Sequence, residues 1–204
     1  YTGVDANGDG IGDMPYVIDA DNQDRYPLMH PWSLLPVHNI NMGLGYAKIQ
    51  EAINAPETMD GHTIFVDAGI YHENIVINKT ICLIGEDRST TVIDGMQKGH
   101  VINVATNSVT ITGFTITNSS LASSYSGIYL YEIDGCNITQ NNIVNNYRGV
   151  NLELSSNNDI SKNYITSNYD GASLTNSSNN NIYRNKITNY QYGVILWYSS
   201  YNAI

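Results

Sequence analysis

Basic side chains are scarce in this chain: 9 Lys and Arg stand against 19 Asp and Glu, a formal net charge of −10. Phosphate backbones and anionic lipid repel so acidic a protein, which argues against nucleic acid as a partner and against adhesion to a membrane surface. Cysteine is scarcer still, with only Cys82 and Cys136. Two thiols make no disulfide framework, and both sit in strand-like contexts where a small apolar side chain serves, so both are expected as buried free thiols. No apolar run approaches the ~20 residues of a membrane-spanning helix, and no signal peptide opens the chain. It begins at Tyr1 inside a motif and stops at Ile204 inside a repeat. That implies a window of a longer protein, with any anchor or export signal elsewhere. His30, His38, His62, His72 and His100 lack ligand spacing and the five Met form no group, so copper is not expected.

Against these absences stands an internal repeat of 22 residues, marked by Gly127, Gly149, Gly171 and Gly193. Columns of one residue type recur in it: Leu130, Leu152, Leu174 and Leu196; Ile138, Ile160, Ile182 and Ile204; Ile143, Ile165 and Ile187; Asn141, Asn163 and Asn185. Within a copy, apolar and polar residues alternate over only three to five positions, the period of short strands, and helical spacing is absent. A single copy cannot bury its apolar face, so copies must stack, each adding ~4.8 Å along an axis with its backbone paired to the coils on either side. The expected fold is all-β: a right-handed parallel β-helix of 22-residue coils. Asn158, Asn180 and Asn202 form a second polar column, with Cys136 in the equivalent place one coil earlier. Asn in a tight turn tolerates left-handed backbone, and its amide can bond the Asn one coil away.

Along the chain, residues 1–29 read as an acidic, loop-rich segment and 30–44, with Pro31, Pro36 and Gly43, as a linker. The one helical pattern covers 46–55, with Ile49, Ala52 and Ile53 on one face, and suits a short cap over the first coil. From 63 onward strands are expected at 63–66, 74–77, 80–84, 91–93, 101–104 and 108–116. Residues 119–126 read as an inserted surface loop, and the strict repeats occupy 127–204. The β-helix as a whole is expected over 45–204.

Several segments carry a family resemblance. Tyr46-Ala-Lys-Ile-Gln-Glu-Ala-Ile53, Gly61-His-Thr-Ile-Phe-Val66, Gly69-Ile-Tyr-His-Glu-Asn74, Leu83-Ile-Gly-Glu86 and Thr91-Val-Ile-Asp-Gly95 resemble the opening of pectin-lyase-like right-handed β-helices. In style the chain is similar to archaeal surface proteins with NosD-type, or CASH, repeats. The stretch from Asp5 to Asp13, with Pro15-Tyr16 and Tyr26-Pro-Leu28, resembles the segment that closes such a module. The resemblance implies the fold and says little of activity, because this superfamily hosts enzymes and inert scaffolds alike.

Asp5, Asn7, Asp9, the Ile11 carbonyl and Asp13 place oxygen ligands at alternate positions around Gly10, the spacing that wraps a hard cation such as Ca²⁺. Position twelve of this loop is Tyr16 rather than a bidentate Glu, so Asp19, Asp21, Asp24 or water must complete the shell. Four glycosylation acceptors stand at Asn78, Asn118, Asn137 and Asn176. By resemblance to pectinesterases, the turn Gly69 to Glu73 serves the fold, and the carboxylate and arginine set of that chemistry has no match here. One weak catalytic candidate is the column Arg148, Asp170, Tyr192. There are 16 Tyr against two Phe. Among the aromatics, Tyr129, Tyr131, Trp197 and Tyr198 suit contact with glycan or protein, although Tyr is also an ordinary residue on the solvent side of a strand. The expected function is that of a non-catalytic structural or adhesive element, extracellular or on the cell surface. Its expected partners are other copies or modules joined end to end as a filament, with polysaccharide as a further partner. The alternatives are a polysaccharide lyase, epimerase or hydrolase, or a glycan-binding module without turnover.

Overall fold

The computed structural model describes residues 16–17, 23–24, 35–122 and 125–204. The expected Ca²⁺ ligands Asp5, Asn7, Asp9, Ile11 and Asp13 therefore lie outside the described residues. Two short strands, β1 (Tyr16–Val17) and β2 (Gln23–Asp24), pair antiparallel. Then come β3 (Val37–Asn39), β4 (Leu44–Tyr46) and α1 (Ile49–Asn54).

Six coils of three strands follow. The first is β5 (Thr63–Val66), β6 (Gly69–His72) and β7 (Ile75–Ile77), and the second β8 (Cys82–Gly85), β9 (Thr91–Asp94) and β10 (Ile102–Val104). The third is β11 (Thr110–Thr112), β12 (Thr115–Thr117) and β13 (Ser126–Tyr131), and the fourth β14 (Asn137–Thr139), β15 (Asn142–Val144) and β16 (Arg148–Glu153). The fifth is β17 (Asp159–Ser161), β18 (Tyr164–Thr166) and β19 (Asp170–Thr175), and the sixth β20 (Asn181–Tyr183), β21 (Lys186–Thr188) and β22 (Tyr192–Trp197). Each strand lies parallel against its counterpart one coil away, so a first, second and third sheet run the length of a parallel β-helix.

The apolar columns are its core. Leu83, Ile111, Ile138, Ile160 and Ile182 stack in the first sheet, and Ile93, Ile116, Ile143, Ile165 and Ile187 in the second. Ile77, Val104, Leu130, Leu152, Leu174 and Leu196 stack in the third. Leu152 and Ile160 are both fully buried, as the repeat requires. The glycine column has a steric cause. A Cβ at Gly149 would lie 2.6 Å from both the Gly171 carbonyl oxygen and Ile165 Cγ2, so the next coil occupies the space a side chain needs.

Amide ladders bind the coils at their corners. In one, the Asn141 N–H donates to Asn163 Oδ1 at 2.9 Å and the Asn163 N–H to Asn185 Oδ1 at 2.9 Å. In another, the Cys136 N–H donates to Asn158 Oδ1, the Asn158 N–H to Asn180 Oδ1 and the Asn180 N–H to Asn202 Oδ1. Two further ladders escaped the sequence reading. Asn146, Asn168 and Asn189 form one, and the hydroxyls of Ser155, Ser177 and Ser199 form the other. The left-handed residue is not the ladder Asn but the one before it: Gln140, Lys162 and Arg184 have φ of 57°, 57° and 56°. That residue turns the corner, and the following Asn then directs its amide between coils.

The amino-terminal end departs from expectation. Residues 30–44 read as a linker, yet β3 pairs antiparallel with β5, Val37 opposite Val66, and covers the edge of the first sheet. The three residues of β3 are too few to show a strand period. The helix, expected over 46–55, starts at Ile49, because Tyr46 belongs to β4 and the Glu73 carboxylate accepts the Ile49 and Gln50 N–H groups, both at 2.9 Å. Ile49, Ala52 and Ile53 are buried, as read. The turn expected at Gly69 to Glu73 is largely strand β6, with Tyr71 stacked on Ile93. The single strand expected over 108–116 is broken at Gly113, whose φ is 84°. Cys136 is buried but Cys82 is partly exposed, since Leu83 takes the inward place in β8.

Candidate functional site

The outer face of the third sheet concentrates the polar chemistry of the molecule. Three columns of outward residues run across it: Ser126, Arg148, Asp170, Tyr192; Tyr129, Asn151, Ser173; and Tyr131, Glu153, Thr175, Trp197. Glu153 is fully engaged, with Oε2 accepting from the Tyr129 hydroxyl at 3.0 Å and Oε1 from Asn151 Nδ2 at 2.9 Å. Burial, reinforced by that bond, pushes the Tyr129 phenol up to about 12. The His100 ring lies flat on Tyr129, centroids 4.2 Å apart and planes at 4°, with Tyr125 edge-on at 5.1 Å.

His100 Nδ1 accepts the Ser126 backbone N–H at 3.1 Å, which requires the neutral ring. Burial holds His100 below its ordinary range, Glu153 opposing and Arg148 adding to the shift. Burial likewise raises Asp170 above the usual carboxylate range, against the pull of Arg148 and of the Tyr192 backbone N–H. Four buried polar atoms of this face have no hydrogen-bond partner: Ser126 Oγ, Arg148 Nε, Asn151 Oδ1 and Asp170 Oδ1. Unpaired groups of this kind cost ~1–3 kcal/mol each. Ser126 Oγ makes no bond to His100, so no activated hydroxyl is assembled here.

The structure thus aligns Arg148, Asp170 and Tyr192, as the sequence suggested, and adds His100, Asn151 and Glu153, which it did not. His100 lies 26 residues before Ser126 and carries no repeat signature. Of the aromatic candidates, Tyr129 is committed to His100 and Glu153, whereas Tyr131, Trp197 and Tyr198 are 47%, 60% and 86% exposed. Asn78, Asn137 and Asn176 are exposed, while Asn118 is half-buried and its Nδ2 donates to Asp94 at 3.1 Å.

The family described as "Periplasmic copper-binding protein (NosD)" matches residues 56–204. A "Cell surface glycoprotein" of Methanothermus fervidus is 35% identical over 100 residues, 48% of this chain, and the matched part spans 16% of that relative. Among solved structures, a pectin methylesterase in complex with a hexasaccharide is 13% identical over 67% of this chain and 62% of its own, with a TM-score of 0.46. Pectin methylesterase PemA from Erwinia chrysanthemi is 16% identical over 69% and 52%, with a TM-score of 0.43. Among the described residues no three His, Cys, Asp or Glu side chains gather to hold an ion. His38 lies 3.0 Å from Asp67, His62 Nδ1 is bonded to Asn39, and His100 Nδ1 is taken by Ser126.

Proposed function

The chain belongs to the NosD family, and on that premise we propose that it is a non-catalytic structural and adhesive element. The protein is extracellular or on the cell surface, in keeping with its family and with its relative among cell surface glycoproteins. No helix among the described residues is long and apolar enough to cross a membrane. The observation that carries the structural role is the continuity of the ladders. Each interior Asn both accepts a backbone N–H from one neighbouring coil and donates to a carbonyl of it, as Asn163 does to Asn141 and Ile138. Each such bond contributes ~1 kcal/mol, and together they make a stiff rod that presents outer faces to partners. Glycan at the exposed Asn78, Asn137 and Asn176, Ca²⁺ in the Asp5–Asp13 loop and end-to-end association of modules complete the proposal.

Three measurements test it. Incubated with pectin and alginate, the protein should release neither reducing ends nor unsaturated products, and turnover would overturn the non-catalytic reading. Chelation should lower the melting temperature of the full chain, and Asp9→Ala should remove that sensitivity. A chelator-indifferent protein excludes the metal. Electron microscopy of native material should show filaments rather than isolated monomers.

A second reading, polysaccharide processing on the outer face of the third sheet, is favoured by one observation. Asp170 is buried with Oδ1 unpartnered, and burial raises it above the usual carboxylate range against the pull of Arg148, the direction a general acid needs. Product formation abolished by Asp170→Asn would select it.

A further inference from the structure

The chain has nine Lys and Arg, and four of them, Arg88, Lys162, Arg184 and Lys186, gather along the corner between the first and second sheets. A groove of about 730 Å³ follows that corner and is lined by Arg88, Lys162, Arg184, Gln140 and Tyr164. Gln140, Lys162 and Arg184 occupy the same left-handed turn position in three successive coils. Beside them, Asn142, Tyr164 and Lys186 are in register on the second sheet. The Arg88 guanidinium lies 4.3 Å over the Tyr164 ring, and Lys186 Nζ is 5.9 Å from its centroid. The backbone of Arg88 is pinned there, its carbonyl accepting from Thr115 Oγ1 at 2.6 Å and Asn142 Nδ2 at 3.2 Å.

None of the four cations is in an ion pair among the described residues; the pairs present are His38–Asp67, Lys48–Glu51 and His72–Asp94. Glu86 and Asp87 also line the groove. Their carboxylates accept the Ala68 and Ser89 backbone N–H groups, at 2.7 and 2.8 Å. On a protein of net charge −10, so concentrated a set of unpaired cations is a local reversal of sign that attracts anions.

We propose that this corner binds a linear acidic polysaccharide, polyuronate or sulfated, laid along the axis of the β-helix. One coil rises ~4.8 Å, close to the length of one sugar unit in an extended chain, so successive anionic groups meet successive rows. Tyr164, 45% exposed, offers ring surface for a sugar. The exposed Gln140 amide suits sugar hydroxyls. An acidic peptide is less well matched. Peptides gain affinity by pairing with free backbone at a strand edge, and the turn N–H groups here are spent between coils, Gln140 on Ser161 at 3.2 Å and Lys162 on Tyr183 at 3.3 Å.

The proposal rests on the adhesive reading and names its ligand class. Binding of oligogalacturonate, dextran sulfate, neutral dextran and poly-glutamate to the full chain, measured by calorimetry at low and high salt, tests it. Oligogalacturonate or dextran sulfate should bind, weaken with salt and leave neutral dextran unbound; which of the two binds more tightly distinguishes carboxylate from sulfate. The double variant Lys162→Ala, Arg184→Ala, at two exposed positions, should lose roughly tenfold or more in affinity at unchanged melting temperature. Binding that the double variant leaves intact would overturn the corner while sparing the adhesive role. Poly-glutamate binding as tightly as either glycan, or no anionic glycan binding at low salt, would also overturn it.

Discussion

The first three coils and the last three solve the same corner differently. Between the first and second sheets the early coils bring Gly85 and Gly113 into backbone contact and bury Phe114 completely. From the fourth coil on, the place of Phe114 is taken by Asn141, Asn163 and Asn185. The two solutions meet where the Phe114 N–H donates to Asn141 Oδ1 at 3.1 Å. Coil length follows the same division. From Ile75 to Ile102 to Ile128 the chain advances 27 and then 26 residues, and thereafter 22 per coil. A corner filled by apolar packing tolerates variable loops, because its contacts are non-directional. A corner closed by amides fixes the register, because each bond needs its partner at one distance and angle.

The comparison can be broken at several points. Leu152→Asp should abolish folding, since it buries an unpaired charge in the regular half, while the neighbouring Glu153→Ala should leave a folded protein weakened by ~1–2 kcal/mol through loss of its Tyr129 and Asn151 bonds. Circular dichroism separates the two, and equal tolerance would invert the assignment of inner and outer faces. Asn163→Leu, which removes both an acceptor and a donor from a buried ladder, should cost ~3–4 kcal/mol in denaturant unfolding. Phe114→Leu, at the same corner in the early half, should cost only ~1–1.5 kcal/mol. If the costs came out reversed, packing rather than the ladder would hold the later coils.

Gly149→Ala should lower stability by ~2 kcal/mol, whereas Gly193→Ala, whose Cβ would meet only Ile187 Cγ2 at 3.6 Å, should be nearly silent. The smallest effect concerns His100. Its folded value lies below the unfolded ~6.5, so its contribution is complete above that pH and is lost as pH falls through 6.5 toward the folded value. Melting temperatures between pH 8 and 5 should converge with those of His100→Phe as pH falls. Parallel curves would show that the ring does not titrate in this interval.

The regular half was legible because each coil restates the last. Leu152, Ile160 and the Asn141 column could be placed from spacing alone. The Asn146 ladder was not, because its members stand 22 and then 21 residues apart and slip out of a fixed alignment. Strand β3 and the Glu73 cap of α1 were hidden for another reason. The place of β3 against β5 and the cap on α1 each depend on a partner more than 20 residues away, and no local pattern encodes that pairing. The polar face was half legible: the repeat aligned Arg148 with Asp170, but His100 comes from a coil outside it.

In the Asn ladders it is the later side chain that closes the earlier corner. The N–H of Asn141 waits for Asn163, and that of Asn163 for Asn185, while the amide of each later Asn reaches back to a carbonyl of the coil before it. A coil emerging from a ribosome is therefore left with open donors and acceptors until the next 22 residues have followed it out. Each corner of the ladder is thus completed by a side chain that the chain supplies only one coil later.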